Sequence, residues 1–127
     1  MLAGPTVAPT QRRLWRWALT ALIAYRRDSP RELVVVPDLV RGGRHLPALL
    51  RSALADRPEV VLRTVGVPVV VTAGAADSFA PAWWLHELAA AAVRSPATRV
   101  AVLPGSHNNP FTHPDALADL VMELPTG

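Results

Sequence analysis

The 127-residue sequence predicts an α/β chain built on parallel strands, and three observations predict it. Residues 67–72 form an apolar run whose Val content fits a strand buried on both faces, as parallel sheets require. A helical segment over about residues 81–93 follows, and then a second β-branched run over residues 99–103. Each run empties into a Gly-containing turn; the first turn carries one carboxylate, Asp77, and the second carries His107. A crossover through a helix makes the two strands parallel, so their carboxyl ends share one sheet edge, where open α/β folds place their ligands. Asp77 and His107 are therefore expected on neighbouring loops of that edge. A carboxylate there can accept a hydrogen bond from one imidazole nitrogen, fix the tautomer and leave the other nitrogen as general base.

Length and composition bound the rest. The chain is long enough for one ordinary domain, and 50% of its residues are apolar, so a core can form. Zero cysteines exclude a disulfide scaffold, cysteine nucleophiles and thiolate metal sites. The first residues lack a basic region followed by a long apolar stretch, and no run approaches the length of a membrane span. A soluble, cytoplasmic protein without stable membrane insertion is the expectation. All 13 cations are Arg, and because Arg hardly titrates, a net charge of +3 is enough to drive the isoelectric point to about 11.0. Basicity of that origin is poor evidence for nucleic acid, and none is expected as a partner.

Taken in order, residues 9–27 read as a helix. Leu14, Trp17, Ala18, Ala21, Leu22 and Tyr25 recur at the spacing of one helical face, with Arg12, Arg13, Arg16 and Arg27 largely outside it. Three readings stay open: a lid helix over a substrate pocket, a basic amphipathic helix on an anionic surface, or an ordinary helix with a packed apolar face. Asp28-Ser29-Pro30 ends that helix and starts another, with Ser29 and Glu32 as a capping box and Pro30 at the first helical position. Pro37 should kink or stop the new helix, Gly42-Gly43 closes the segment, and a further helix runs from Arg44 to about Asp56. Short helices broken by Pro and Gly suit a mobile cap.

Residues 58–66 lead into the central unit, whose helix carries Trp83, Trp84 and His86. Adjacent helical residues point about 100° apart, so at most one of the two Trp residues can share a core face fully. His86 and His45 read as surface or packing histidines. His113 precedes Pro114-Asp115 and is explained as part of a helix start, whereas His107 follows its strand through Pro104-Gly105-Ser106 and is aimed at the strand edge. Taken alone, Asp77 reads as an Asp closing a turn on its own backbone and His107 as a loop His. Their order, the position of each after a strand and the resemblance of the surrounding sequence to one family together favour a catalytic pair.

VPVVVTAGAADSFAP resembles the strand and acid turn of the α/β-hydrolase fold, and LPGSHNNPFTHPDALADLVMEL resembles its last strand, catalytic-His loop and closing helix. MLAGPTVAPTQRR is similar to the segment of these hydrolases that leaves the strand after the nucleophile helix and enters the lid. The resemblance implies that Asp77 is the acid and His107 the base of a Ser, Asp, His triad, in the chain order this fold uses. No G-x-S-x-G elbow occurs, and Ser29, Ser52, Ser78, Ser95 and Ser106 lack the strand, sharp turn, helix setting of such a nucleophile.

The expected organisation is therefore the C-terminal part of an α/β-hydrolase fold. Residues 1–8 would be the end of a core strand and the entry to the lid, 9–57 a helical lid, and 58–127 the C-terminal core portion. The implied activity is acyl transfer on a small ester or related carbonyl substrate, in the hydrolase class, with no cofactor and no metal; alone, without its nucleophile, the chain is expected to be inactive. The alternative is a non-catalytic interaction protein that uses the basic N-terminal helix. No phosphate loop, dinucleotide fingerprint, zinc spacing or calcium loop appears.

Overall fold

The computed structural model describes residues 1–4, 7–27 and 36–123. Three parallel strands, β1 (Leu2–Ala3), β2 (Val69–Gly74) and β3 (Thr98–Leu103), form one sheet in the order β1-β2-β3. Leu2 is in register with Val71, and Val69 to Gly74 run alongside Thr98 to Leu103. Every residue of β2 is buried, as a strand covered on both faces must be. It starts and ends two residues later than the apolar run suggests. Val67 is exposed and Pro68 has no N–H to give the ladder, so pairing begins where the Val69 N–H donates to the Ala97 carbonyl at 2.8 Å.

The crossover helix, α5 (Ala82–Ala91), lays Trp84, Leu85 and Leu88 against β2 and joins them to Ala8, Leu62, Val71 and Ala73 in one core. Of the adjacent tryptophans, Trp84 is 1% exposed and Trp83 is 44% exposed, the division that a 100° step along a helix imposes. β3 is less covered: Thr98, Arg99 and Val102 are exposed. Two helices follow it, α6 (Asn109–Thr112) and α7 (Pro114–Met122), with His113 at the N-cap of the second and Asp115 in its first turn.

Among the described residues between β1 and β2, the regular elements are helices and 3-10 turns. After a 3-10 turn at Pro9–Gln11 come α1 (Leu14–Arg27), α2 (Val36–Arg41), a 3-10 turn at Gly43–His45, α3 (Leu46–Ala55), α4 (Pro58–Val61) and a 3-10 turn at Leu62–Thr64. The capping box of Ser29 and Glu32, with Asp28 and Pro30, lies outside the described residues. Pro37 does not stop a helix but sits in the first turn of α2, where its missing N–H has no intrahelical role. The inward face of α1 also differs from the expected stripe. Trp17, Thr20, Ala21 and Ala24 turn inward, whereas Leu14, Ala18 and Leu22 are exposed. The small residues permit close approach to the body of the protein, and the larger Leu14, Trp15, Leu19, Leu22 and Ile23 remain outside.

Two contacts hold the frame. The Arg12 guanidinium donates from both terminal nitrogens to the two carboxylate oxygens of Glu59 on α4, each at 2.8 Å, and lies 5.7 Å from the centre of the Trp84 ring. The 3-10 turn before α1 is thus tied to α4 and α5 through one largely buried cation, which explains why Arg12 does not belong with the solvated arginines of α1. The second contact lies at the ends of the strands. Ala75 N–H donates to the Leu103 carbonyl at 2.8 Å and Ala76 N–H to the Gly105 carbonyl at 3.0 Å, so the turns after β2 and β3 are stitched backbone to backbone. At Gly74 any Cβ would collide with the carbonyl oxygens of Gly105 and Ser106. Gly105 itself has φ of +92°, where an L side chain is strained.

Each contact yields an expected outcome. The Arg12 hydrogen bonds hold the Glu59 carboxyl below its ordinary value of 4.5, against the opposing effect of burial. A depressed carboxyl stabilises the fold at and above its unfolded value and loses that contribution as pH falls through the lower folded value. Glu59→Gln should therefore lower the urea unfolding free energy by about 1–2 kcal/mol at pH 7, with the difference from wild type shrinking as pH falls through the lowered folded value; a loss that does not change with pH would refute the ion-pair account. Gly74→Ala should cost about 2–3 kcal/mol in the same measurement, because the clash is with backbone that cannot move aside.

Candidate active site

The turn after β2 presents Asp77, whose N–H donates to the Gly74 carbonyl at 3.0 Å. Its side chain is 0% exposed, and a buried carboxylate is costly unless its oxygens are hydrogen-bonded. Oδ1 accepts the backbone N–H groups of Phe79 at 2.8 Å and Ala80 at 3.1 Å. Oδ2 lies 3.0 Å from Nδ1 of His107. Asp77 therefore closes its own turn with one oxygen and meets the imidazole with the other. The turn closure and the expected contact with the imidazole coexist in one side chain.

His107 reaches that position from the loop after β3. The end of β1 flanks it: Gly4, with φ of +55°, donates its N–H to the Thr72 carbonyl at 2.9 Å, and a Cβ there would lie 3.6 Å from the His107 carbonyl oxygen. An ionised carboxylate can only accept, so the hydrogen bond to Oδ2 assigns the proton to Nδ1 and the lone pair to Nε2. The imidazole is 37% exposed, so it stands at the boundary between the core and open space. The geometry couples a fixed, fully buried acceptor to a half-exposed ring, an arrangement able to orient an imidazole and stabilise its protonated form.

Aromatic residues frame the ring. Phe79 meets His107 edge to face, with centroids 5.1 Å apart, and Trp17 of α1 lies 6.0 Å beyond Phe79. These residues and Val7 open onto a cavity of about 220 Å³, lined on its far side by Leu46, Leu49, Leu50 and Ala53 of α3. A larger and more open hollow of about 580 Å³ lies between the start of α1 and α3, beside Leu14, Pro47 and Arg51. It touches neither Asp77 nor His107, so its size does not make it the reactive site.

The other histidines stand apart from this pair. His113 bonds Thr112 Oγ1 at 2.9 Å and packs under Gly105, His45 accepts from Arg44 Nε at 2.9 Å, and His86 is exposed on α5. Among the described residues no group of three or more His, Asp or Glu could hold a metal ion, and no helix is long and apolar enough to cross a membrane. Phe79 and Trp17 are the site residues that sequence reasoning passed over. Phe79 carried a usable signal, as a lone aromatic two residues after Asp77 in an otherwise small and polar turn.

No protein-family model matches the chain, and no curated protein matches it in sequence. Solved structures do match in shape. A protein named as the non-heme bromoperoxidase BpoC of Mycobacterium tuberculosis H37Rv superposes with a TM-score of 0.56 at 20% identity, over 97% of this chain and 55% of that one. A hydrolase from Pseudomonas aeruginosa PA01 superposes with a TM-score of 0.49 at 19% identity, over 95% of this chain and 52% of that one. The chain thus spans about half the length of the solved structures it matches, and over that half it has the parallel-sheet α/β fold of α/β-hydrolase-type proteins.

Proposed function

We propose that this chain supplies the acid and base of an α/β-hydrolase-type acyl-transfer site acting on a small ester or related carbonyl compound. The observation that carries the reading is the 3.0 Å approach of His107 Nδ1 to an Asp77 carboxylate already fixed by two backbone N–H groups. Nε2 of His107 takes the proton of a nucleophile hydroxyl as it attacks the carbonyl carbon, and returns it to the leaving group as the tetrahedral intermediate collapses. Asp77 stays ionised throughout and stabilises the imidazolium formed between those steps. Phe79 and Trp17 keep the ring beside an apolar cavity and limit the water that reaches it. The helices of residues 9–57 serve as the lid in this reading.

The sequence contains no nucleophile elbow, so the hydroxyl comes from a segment outside these residues. Triad members act as a unit, and an acid and base without a nucleophile add little to acyl transfer. The chain alone should show no esterase activity above buffer. Mixed with the elbow-bearing N-terminal half of a related hydrolase, it should restore turnover of a short-chain nitrophenyl ester, and His107→Ala should reduce that turnover by about 10³-fold or more. Esterase activity of the chain alone, abolished by His107→Ala, would overturn the reading.

One observation favours a second reading, a docking helix. Leu14, Trp15, Leu19, Leu22 and Ile23 are exposed on α1 together with Arg13, Arg16 and Arg26, and the helix carries no carboxylate. Arg12 does not contribute, since Glu59 and Trp84 occupy it. Co-sedimentation with anionic lipid vesicles separates the readings. We expect none; salt-sensitive binding that persists in His107→Ala and disappears when Arg13, Arg16 and Arg26 become Gln would put the docking helix first.

A further inference from the structure

We infer that the cavity beside His107 selects an uncharged aryl group, so that the substrate is a neutral ester or related carbonyl compound carrying a benzene-sized ring; the mention of an ester rests on the acyl-transfer reading above. The first argument is size. An apolar cavity of roughly 150 Å³ holds a benzene molecule, so the volume of about 220 Å³ here takes one ring and leaves room for a carbonyl group at the His107 end. The hydroxyl groups of a sugar would lose their water here and find few partners on apolar walls.

The second argument is the chemistry of the walls. Val7, Trp17, Phe79 and the inner side of α3 are all apolar, and among the described residues His107 is the single polar residue lining the space. No arginine among the described residues lines it. Arg12 is committed to Glu59 and Arg99 to Glu123. A carboxylate or phosphate placed here would be desolvated with no arginine among the described lining residues to meet it, which is unfavourable while His107 is neutral. The third argument is shape. Trp17, Phe79 and His107 form a continuous aromatic wall with inclined rings, at 36° between the first two and 60° between the last two. Such a wall offers both edges and faces to a further ring, the arrangements aromatic pairs prefer.

The test uses the whole chain and two probes of one size, benzyl alcohol and benzoate, at pH 8, above the ordinary imidazole range. Binding is read from chemical shifts of the Trp17 indole N–H. Benzyl alcohol should saturate with a Kd on the order of 1–10 mM, and benzoate should bind at least about 10-fold more weakly. Ala53→Phe, which fills the cavity from α3, should remove the benzyl alcohol response. Leu50→Ala, which widens it, should admit 2-naphthylmethanol and so keeps the question answerable if the filled variant does not fold. Equal binding of benzoate and benzyl alcohol, or no response of Trp17 to either, overturns the inference. The two proposals fail separately. Selective benzyl alcohol binding by a chain that never supports turnover sinks acyl transfer alone, whereas turnover with the wrong probe preference sinks the aryl cavity alone.

Discussion

The close approach of two turns at the carboxyl end of the sheet is the constraint on which the site depends. β2 and β3 run in register to their last residues, Gly74 and Leu103, and the backbones that leave them stay in hydrogen-bond contact at Ala75 and Ala76. That contact exists only because Gly74 has no side chain, and because Gly105 adopts a conformation that other residues resist. With the turns this close, a short carboxylate on one and an imidazole on the other meet without either side chain being stretched. A methyl group at Gly74 would intervene between the loops before it touched Asp77 or His107.

The same turns solve the problem of keeping a charge in the interior. A carboxylate withdrawn from water needs several donors, and Asp77 has three: two N–H groups of its own turn and the imidazole. The backbone donors fix the carboxylate plane, and the plane fixes the direction from which the imidazole can approach. The carboxylate is thus both the cap of a turn and the seat of the ring. Arg12 plays a comparable part on the opposite flank, where one buried cation fastens the N-terminal turn to α4 and to the face of Trp84.

Much of this was legible in the residues. The Val-rich run, the helix after it and the second β-branched run define the parallel unit, and the positions of Asp77 and His107 along it place the pair at one edge. Local patterns of that kind depend on neighbours in sequence, so they survive into the fold. What could not be read depended on distant partners. The inward face of α1 is decided by which residues let the helix approach the body, and Thr20 and Ala24 serve that better than the larger Leu14 and Leu22. The pairing of Arg12 with Glu59 links residues far apart in sequence and leaves no trace in composition. The role of Gly74 is invisible until the second turn is seen above it. Strand limits shifted for a local reason, since Pro68 withholds the N–H that would have extended β2.

The pairing of β1 with β2 joins Leu2 to Val71, so everything between them is a single excursion whose two ends are clamped side by side. Lengthening such an excursion is cheap, about 0.6 kcal/mol for each doubling, because closure entropy grows only with the logarithm of length. The excursion contributes Trp17, Leu46 and Leu50 to the cavity wall, while Asp77, Phe79 and His107 come from beyond the clamp. Most of the residues that would choose a substrate thus come from a different stretch of chain than those that would act on it, and the two stretches are joined where Trp17 meets Phe79 and where the Gln11 side chain donates to the Ser78 carbonyl at 3.0 Å.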